Sequence, residues 1–251
     1  MRVTFIGAGP GDPELLTVKA RRLIETCRCL IYAGSLVSDE VVALAPSGAE
    51  RHNSAEMSLE QIVEVYKHAK ENGMDVARLH TGDPSLYGAI LEQMNELDAL
   101  GIEYDVVPGV SSFQAAAAAL KIELTVPEKS QAVIIARNAG RTPVPALQEL
   151  EQLAKSGATL CVFLSVQAIG EVAEKLTPHY GAQAPVAAVY RASWPDQKIV
   201  TGTLADIAGK VKQAGIGNMT IIIVGPALER AQTASKLYDS SFTHAFRTAV
   251  R

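Results

Sequence analysis

VTFIGAGPGDPELLTVKA, residues 3–20, is the stretch on which the fold reading turns. A mostly β-branched and aromatic run, Val3 to Ile6, leads into three glycines, Gly7, Gly9 and Gly11. Asp12 is a residue type that caps helices, and Pro13 suits a first helical position, where no N–H is needed. The reading is a strand, a tight turn and a helix that is expected to run to about Cys27. A dinucleotide fingerprint needs G-x-G-x-x-G, whose third glycine lets the helix sit against the strand. Here the third glycine comes one residue early, and Asp12 stands where that fingerprint has glycine. A carboxylate at that place repels a pyrophosphate. The second expected strand ends in IYAGSL, without an acid for a ribose diol, and no G-K-[ST] follows for a Walker loop. The turn is therefore either a plain tight connection or the wall of a cleft for a flat ligand without phosphate.

Outward from this turn, strand and helix patterns alternate. CLIYA is a second strand. SLEQIVEVYKHAKENG carries apolar residues at helical spacing (Leu59, Ile62, Val63, Val65, Tyr66), with Gly73 as its stop. MDVARLH is a third strand, AILEQMNELDALG a helix and EYDVVPG a fourth strand. Such βαβ alternation predicts a helix-covered parallel sheet. After residue 130 the register restarts with QAVIIAR, a helix, ATLCVFLS and another helix. APVAAVYRA and KIVTGTL then stand close together, as in an antiparallel pair around SWPDQ. A helix and MTIIIVG close the pattern. The expected class is α/β, with a mostly parallel sheet in an N-terminal domain (1–112), a mixed sheet in a C-terminal domain (113–228) and a polar tail (229–251).

Formal net charge is −4, so no chain-wide basic field exists to recruit nucleic acid. No run approaches the roughly 18 apolar residues of a membrane span. MRVTFIGAGPGD turns polar and glycine-rich too early for a secretory signal. Cys27, Cys29 and Cys161 form no disulfide pattern; they are expected to be buried thiols in a reducing cytoplasm. His52, His68, His80, His179 and His244 are scattered without ligand spacing, so no metal is expected.

Other stretches raise ligand-binding alternatives. In HTGDPSLYG (80–88), Asp83 either caps a helix or, with Gly82 and Ser85, meets a ligand at a strand's carboxyl end. Ser111 and Ser112 in VPGVSSFQAAAA either cap the alanine-rich helix or offer hydroxyls and N–H groups. Arg137 and Arg141 lie in RNAGRTPVP, which is either a solvated loop or a carboxylate-binding one. Met219 covers an apolar ring or fills core.

Taken together, GAGPGDPELLT, TGDPSLYG, VPGVSS, CVFLS, VYRASWPD and NMTIIIVG resemble, in order and spacing, the class III or tetrapyrrole methyltransferases, over about residues 2–228. GRTPVP and YRASWPD are most similar to the branch that methylates C-11 of precorrin-4 in cobalamin biosynthesis. GDPSLYGAILEQ stands where the uroporphyrinogen-III branch has a GRGG-like run. A cobalt-bearing precorrin-4, or another tetrapyrrole carbon, remains an alternative substrate. The resemblance implies two α/β domains with the active site in the cleft between them, S-adenosylmethionine as methyl donor (S-adenosylhomocysteine as product), and a homodimer in the cytoplasm. It also implies that the glycine turn shapes a trough for cofactor and tetrapyrrole. By matching positions, cofactor contacts are expected at Pro10, Thr81, Gly82, Asp83, Leu86, Ser111, Ser112, Leu164, Tyr190, Arg191, Ala192, Met219 and Thr220. Arg51, Arg137, Arg141 and Arg191 are candidate partners for the acidic arms of the substrate. No catalytic base is assigned; Asp83 and Glu128 are candidates to test.

Overall fold

A computed structural model of the chain describes residues 1–229, 235, 237 and 239–249. Of the expected tail (229–251), residues 230–234, 236, 238, 250 and 251 lie outside the described residues. The chain divides into two compact units, residues 1–119 with 191–197, and 120–190 with 198–251. The second crossing falls inside the expected C-terminal domain, because the SWPD segment belongs with the first unit.

The first unit is built on a five-stranded sheet of β1 (Arg2–Gly7), β2 (Cys29–Tyr32), β3 (Glu50–Asn53), β4 (Val76–His80) and β5 (Glu103–Val107). The order is β3-β2-β4-β1-β5, and all four pairings are parallel. Side chains alternate between the sheet's two faces. Ile6, Leu30, Ala77 and Leu79 pack on one face with α1 (Val18–Thr26) and α2 (Asp39–Ala43). Val3, Phe5, Cys29, Ile31 and Val76 pack on the other with α3 (Leu59–Glu71) and α4 (Leu91–Ala99). Helix α3 starts at a capping box, Ser58 with Gln61, and Gly73 follows it at φ +59°. Helix α5 (Ser112–Leu120) follows β5.

Two local expectations change. The helix expected from Pro13 to Cys27 is broken: Pro13–Leu15 is a single 3-10 turn capped by Asp12, Leu16 is extended, and α1 restarts at Val18. Thr17 takes the cap, its Oγ1 accepting from Ala20 N–H at 3.1 Å, a local bond that competes with helix continuation. Strand β3 and helix α2 were not expected. The sequence of β3, ERHN, is charged and lies on the sheet edge, so it carries none of the apolar signal that marks central strands.

The second unit holds β6 (Val133–Arg137), β7 (Thr159–Phe163), β8 (Pro185–Tyr190), β9 (Lys198–Thr203) and β10 (Thr220–Val224). Their order is β6-β7-β10-β8-β9, with only β6–β7 parallel. The mixed sheet and the antiparallel β8–β9 pair agree with expectation. Helices α6 (Leu150–Ala154), α7 (Ile169–Tyr180) and α8 (Ile207–Ala214) bury Leu150, Leu176 and Ile207 against Leu160, Val162 and Ile222. The three cysteines are free and buried. Among the described residues no helix is long and apolar enough to cross a membrane.

Candidate active site

Strands β4, β1 and β5 are neighbours, and the connections leaving β1 and β4 run in opposite directions across the sheet, to β2 and to β5. Outside the carboxyl ends of strands at such a point an open α/β sheet leaves a crevice. Here glycines bring the three loops together. Gly82 N–H donates to Gly9 O at 2.8 Å, Gly9 N–H to Gly82 O at 3.3 Å, and Ala8 N–H to His80 O at 2.8 Å. A Cβ on Gly7 would lie 2.5 Å from the Gly109 backbone and 2.7 Å from Gly82 O; one on Gly109 would lie 2.2 Å from Gly82 O. The glycine turn is therefore a backbone-to-backbone contact among three loops.

Asp83 fastens the same loops. Its Oδ2 accepts from Gly109 N–H at 2.9 Å, and its Oδ1 from Ser85 N–H at 2.8 Å and from the Ser85 hydroxyl. Burial pushes this carboxyl up, but the bonds from Ser85 and Gly109 outweigh it and hold it below the usual carboxylate range. A carboxylate so depressed is a poor proton acceptor, and both oxygens are engaged, so its evident work is to join the β4 and β5 loops. Glu128, the other candidate base, stands exposed at φ +63° in the Val126–Ser130 turn of the second unit.

Beneath the Thr81–Asp83 loop, His80 is buried beside Phe5 and close to Arg78. Burial, then the Arg78 cation, lowers its pKa to about 3, so it is a neutral imidazole. In the unfolded chain its pKa is about 6.5. Between those values the unfolded chain takes up a proton that the folded one refuses, so stability falls as pH drops through the window. The slope from this one group approaches about 1.4 kcal/mol per pH unit. Replacing His80 by Gln should remove that component from urea-unfolding free energies measured between pH 6.5 and the acid limit; identical slopes would contradict it.

The segment 191–197 clasps the glycine turn. Trp194 Nε1–H donates to Pro10 O at 2.7 Å, and Asp12 N–H donates to Ser193 Oγ at 3.1 Å. Ser38, the cap of α2, donates to Gly11 O at 2.9 Å. A Cβ on Gly11 would meet the Trp194 ring at 2.2 Å. Arg191 lies 4.0 Å over the Trp194 ring and donates to Asp196 Oδ2 at 2.6 Å. A cavity of about 570 Å³ opens beside this clasp. Its charged lining is Asp12, Asp39, Glu40 and Asp196 against Arg191, which is already paired, so this wall is acidic in balance.

Of the thirteen expected cofactor contacts, nine lie in the first unit. Pro10, Thr81, Gly82, Asp83, Leu86, Ser111 and Ser112 stand on the loops after β1, β4 and β5, and Arg191 and Ala192 on the clasp. Ser111 is buried: its N–H donates to Gln114 Oε1 at 3.0 Å, and its carbonyl starts α5. Ser111 thus sits just before the first turn of α5 with its backbone groups engaged there, and Ser112, half-buried beside it, opens the helix. The other four lie at one end of the second sheet. Leu164 follows β7, Tyr190 ends β8 paired with Thr220, and Met219 precedes β10. Leu164 (φ +54°) and Met219 (φ +65°) are left-handed, a conformation that costs a residue with a side chain about 1–2 kcal/mol. Leu164 is also 76% exposed. A strained, uncovered leucine is the kind of outlier that ligand sites hold.

Among the arginines, Arg137 is spent on its own loop, donating to Asn138 O, Thr142 O and Pro143 O. Arg51 donates to Ala45 O and Pro46 O. Arg141 stands exposed on the loop that Arg137 organises. The three loops' glycine contact, the Asp83 clamp and the Trp194 clasp escaped the reading of the sequence. Their partners are 26 to 184 residues apart, and no local pattern marks them.

The sequence matches the family model of tetrapyrrole (corrin/porphyrin) methylases over residues 2–208. It is 51% identical to a cobalt-precorrin-4 C(11)-methyltransferase of Methanocaldococcus jannaschii, across 98% of this chain and 96% of the relative. It is 49% identical to a precorrin-4 C(11)-methyltransferase of Pseudomonas aeruginosa, across 98% and 99%. A solved cobalt-precorrin-4 methyltransferase described as a cobalamin biosynthetic enzyme superposes with a TM-score of 0.89 at 42% identity, covering 91% of this chain and 96% of that one. A uroporphyrin-III C-methyltransferase of Thermus thermophilus complexed with S-adenyl homocysteine gives 0.78 at 31% identity, covering 91% and 99%.

Proposed function

We propose, from the premise that this chain belongs to the tetrapyrrole (corrin/porphyrin) methylases, that it transfers a methyl group from S-adenosylmethionine to C-11 of precorrin-4 in cobalamin biosynthesis. The observation that carries this reading is near-50% identity over almost the whole chain with relatives named for C-11. Those relatives include both metal-free and cobalt-precorrin enzymes, so cobalt-precorrin-4 is the second substrate to test.

The residues present suit S-adenosylmethionine. The glycine turn offers no phosphate cradle, and the donor supplies no phosphate to one. The hydroxyl and backbone groups of exposed Thr81 and half-buried Ser112, and the exposed side chain of Leu164 with half-buried Met219, match an adenosine with an amino-acid tail. We assign cofactor contacts to Pro10, Thr81, Gly82, Asp83, Leu86, Ser111, Ser112, Leu164, Tyr190, Arg191, Ala192, Met219 and Thr220. When bound, S-adenosylmethionine supplies a methyl group on a sulfonium, already a good leaving group. What the chain adds is position. Holding reacting atoms in a near-attack arrangement lowers a barrier by roughly 7–11 kcal/mol. Gly7, Gly82 and Gly109 let the three loops approach to backbone contact, Asp83 locks two of them, and Trp194 fixes the third. Both oxygens of Asp83 are engaged and Glu128 stands exposed in the second unit, and methyl transfer to an electron-rich ring carbon asks little of a general base. Exposed Arg141 is the arginine we assign to a substrate carboxylate.

The decisive experiment supplies purified protein with a methyl-labelled donor and, separately, precorrin-4, cobalt-precorrin-4 and uroporphyrinogen III. NMR of the products locates the label. Label at C-11 of the first or second is expected, and label only on uroporphyrinogen III would move the chain to a sibling branch. Leu164→Gly relieves the strain at φ +54° and should leave stability within about 1 kcal/mol of the parent. It should nonetheless weaken S-adenosylhomocysteine binding about 10- to 100-fold in calorimetric titration, because a leucine covered by ligand contributes about 1.5–3 kcal/mol. Unchanged binding would remove Leu164 from the site. We further propose a cytoplasmic homodimer, as the family resemblance implies; light scattering on the eluting protein checks the oligomer.

A further inference from the structure

Strands β6 and β7 run parallel with Arg137 opposite Phe163, so Asn138 and Leu164 leave the sheet side by side. Asn138 is buried, and so is Ser165, the residue after Leu164. Asn138 N–H donates to Ser165 Oγ at 2.9 Å. Ser165 Oγ donates its one proton to Phe163 O at 2.6 Å. That second bond closes over Leu164, the left-handed residue between them (φ +54°). Ser165 O then accepts from Ala168 N–H at 3.0 Å, in the turn that leads into α7. A left-handed leucine persists only where its surroundings over-determine it. Here the Ser165 hydroxyl ties down the peptide group on the N-terminal side of Leu164, and Asn138 orients that hydroxyl.

Asn138 is itself held from several sides. Its carbonyl accepts from Arg137 Nη1 at 3.3 Å, and its Oδ1 from Lys175 Nζ at 2.9 Å. Its Nδ2 is shut off from solvent and faces the Glu171 carboxylate without closing a hydrogen bond to it. Asn138 first, and then Lys175, holds Glu171 below the usual carboxylate range. Glu171 and Lys175 are paired at 2.9 Å one turn apart on α7, so one helix holds both ends of a single amide. Glu149 at 3.8 Å and Glu151 at 4.0 Å complete the surroundings of Lys175. An aspartate at 138 would keep the Lys175 bond but set a second carboxylate against Glu171, so this setting asks for an amide.

We infer that Asn138 is a positioning residue: with Ser165 it holds Leu164 in the left-handed, uncovered conformation that meets S-adenosylmethionine. The inference rests on the assignment of Leu164 to the cofactor made above. Asn138 acts through Leu164 and does not itself touch the cofactor. It also opens the loop that carries Arg141, so the same anchor sets the base of the arginine assigned to a substrate carboxylate.

The test is calorimetric titration of the full-length protein with S-adenosylhomocysteine, below the unfolding temperature of each variant. Ser165→Ala removes the hydroxyl and should weaken binding about 3- to 10-fold. In a Leu164→Gly background it should weaken binding no further, because the hydroxyl acts only through the leucine. Asn138→Asp should bind more weakly at about pH 8 and recover toward about pH 6, as the carboxylate pair it forms with Glu171 takes up a proton. The charged groups around residue 138 are Lys175 and Glu171 on α7, Glu149 and Glu151 beside Lys175, and Arg137 on its own loop. The parent should change less than about twofold over that range. Ser156→Ala, which removes an exposed hydroxyl elsewhere in the same unit, should leave binding unchanged.

A parent that binds no S-adenosylhomocysteine would overturn the methyltransferase reading and this inference with it. Binding in the parent that is matched by both Ser165→Ala and Asn138→Asp would overturn the inference alone. So would equal weakening by Ser165→Ala with and without Leu164, or a loss in Asn138→Asp that ignores pH. The two variants change different residues, so either one decides the matter if the other fails to fold.

Discussion

Gly109→Ala should lower the unfolding free energy by about 3–5 kcal/mol and abolish S-adenosylhomocysteine binding. The added methyl would stand 2.2 Å from Gly82 O, 2.8 Å from Gly7 Cα and 3.0 Å from Gly7 C. All three neighbours are backbone, and Gly7 ends β1, an interior strand of the sheet, so no side-chain rotation relieves the clash. The β5 loop must move off, and with it goes the Gly109 N–H donation to Asp83. Asp83 then loses one of the bonds that hold its carboxylate, and the Thr81–Asp83 loop loses its anchor. A control with the opposite sign is available in α8. Gly209 has nothing within 4 Å of its missing Cβ, and a glycine inside a helix costs about 0.5–1 kcal/mol relative to alanine, so Gly209→Ala should stabilise. Urea unfolding of the two variants reads both signs. If Gly109→Ala unfolds within about 1 kcal/mol of the parent, the loops are not in backbone contact, and the account of the glycine turn is wrong.

Gly11→Ala should cost about 3 kcal/mol, and the larger part of that should vanish when Trp194 is removed. The new methyl would lie 2.2 Å from Trp194 Cδ1 and Nε1. Accommodating it means expelling the indole, which gives up the bond to Pro10 O and the Arg191 stacking. In a Trp194→Ala background the three closest neighbours of that methyl are gone, so the two substitutions should be strongly non-additive, with a coupling of about 2 kcal/mol. Trp194 is the chain's one tryptophan, so its emission reports the displacement directly: Gly11→Ala alone should shift it toward that of a solvated indole. Strict additivity, or an unchanged spectrum, would show that the 191–197 segment does not clasp the glycine turn.

Much was legible from local chemistry. The three glycines with Asp12 exclude a pyrophosphate loop on charge and spacing alone, because both are properties of the sequence itself. The helix over SLEQIVEVYKHAKENG, its Gly73 stop and the β8–β9 pair all appear in the fold, because each rests on contacts within a few residues. The break at Leu16 was missed because Thr17 and Asp12 are both good caps, and sequence does not say that both are used. Strand β3 was missed because an edge strand of charged residues owes its existence to its neighbour β2 rather than to its own pattern.

The sequence by itself determined the alternation of elements, the class of each sheet and, through six short stretches taken together, the family. These follow from periodicity, capping and turn chemistry, which act over a few residues. Tertiary structure alone decided what the motif residues do. It made Asp83 a clamp on Gly109 rather than a free carboxylate, spent Arg137 on its own loop carbonyls, and brought Trp194 back onto Pro10 across 184 residues. It also brought the side chains of Cys29, Glu50 and His52, which no spacing rule connects, together at one sheet edge. The physical reason is the same in each case. A side chain's role is set by which backbone groups and charges it meets, and in a parallel sheet those come from strands far apart in the chain.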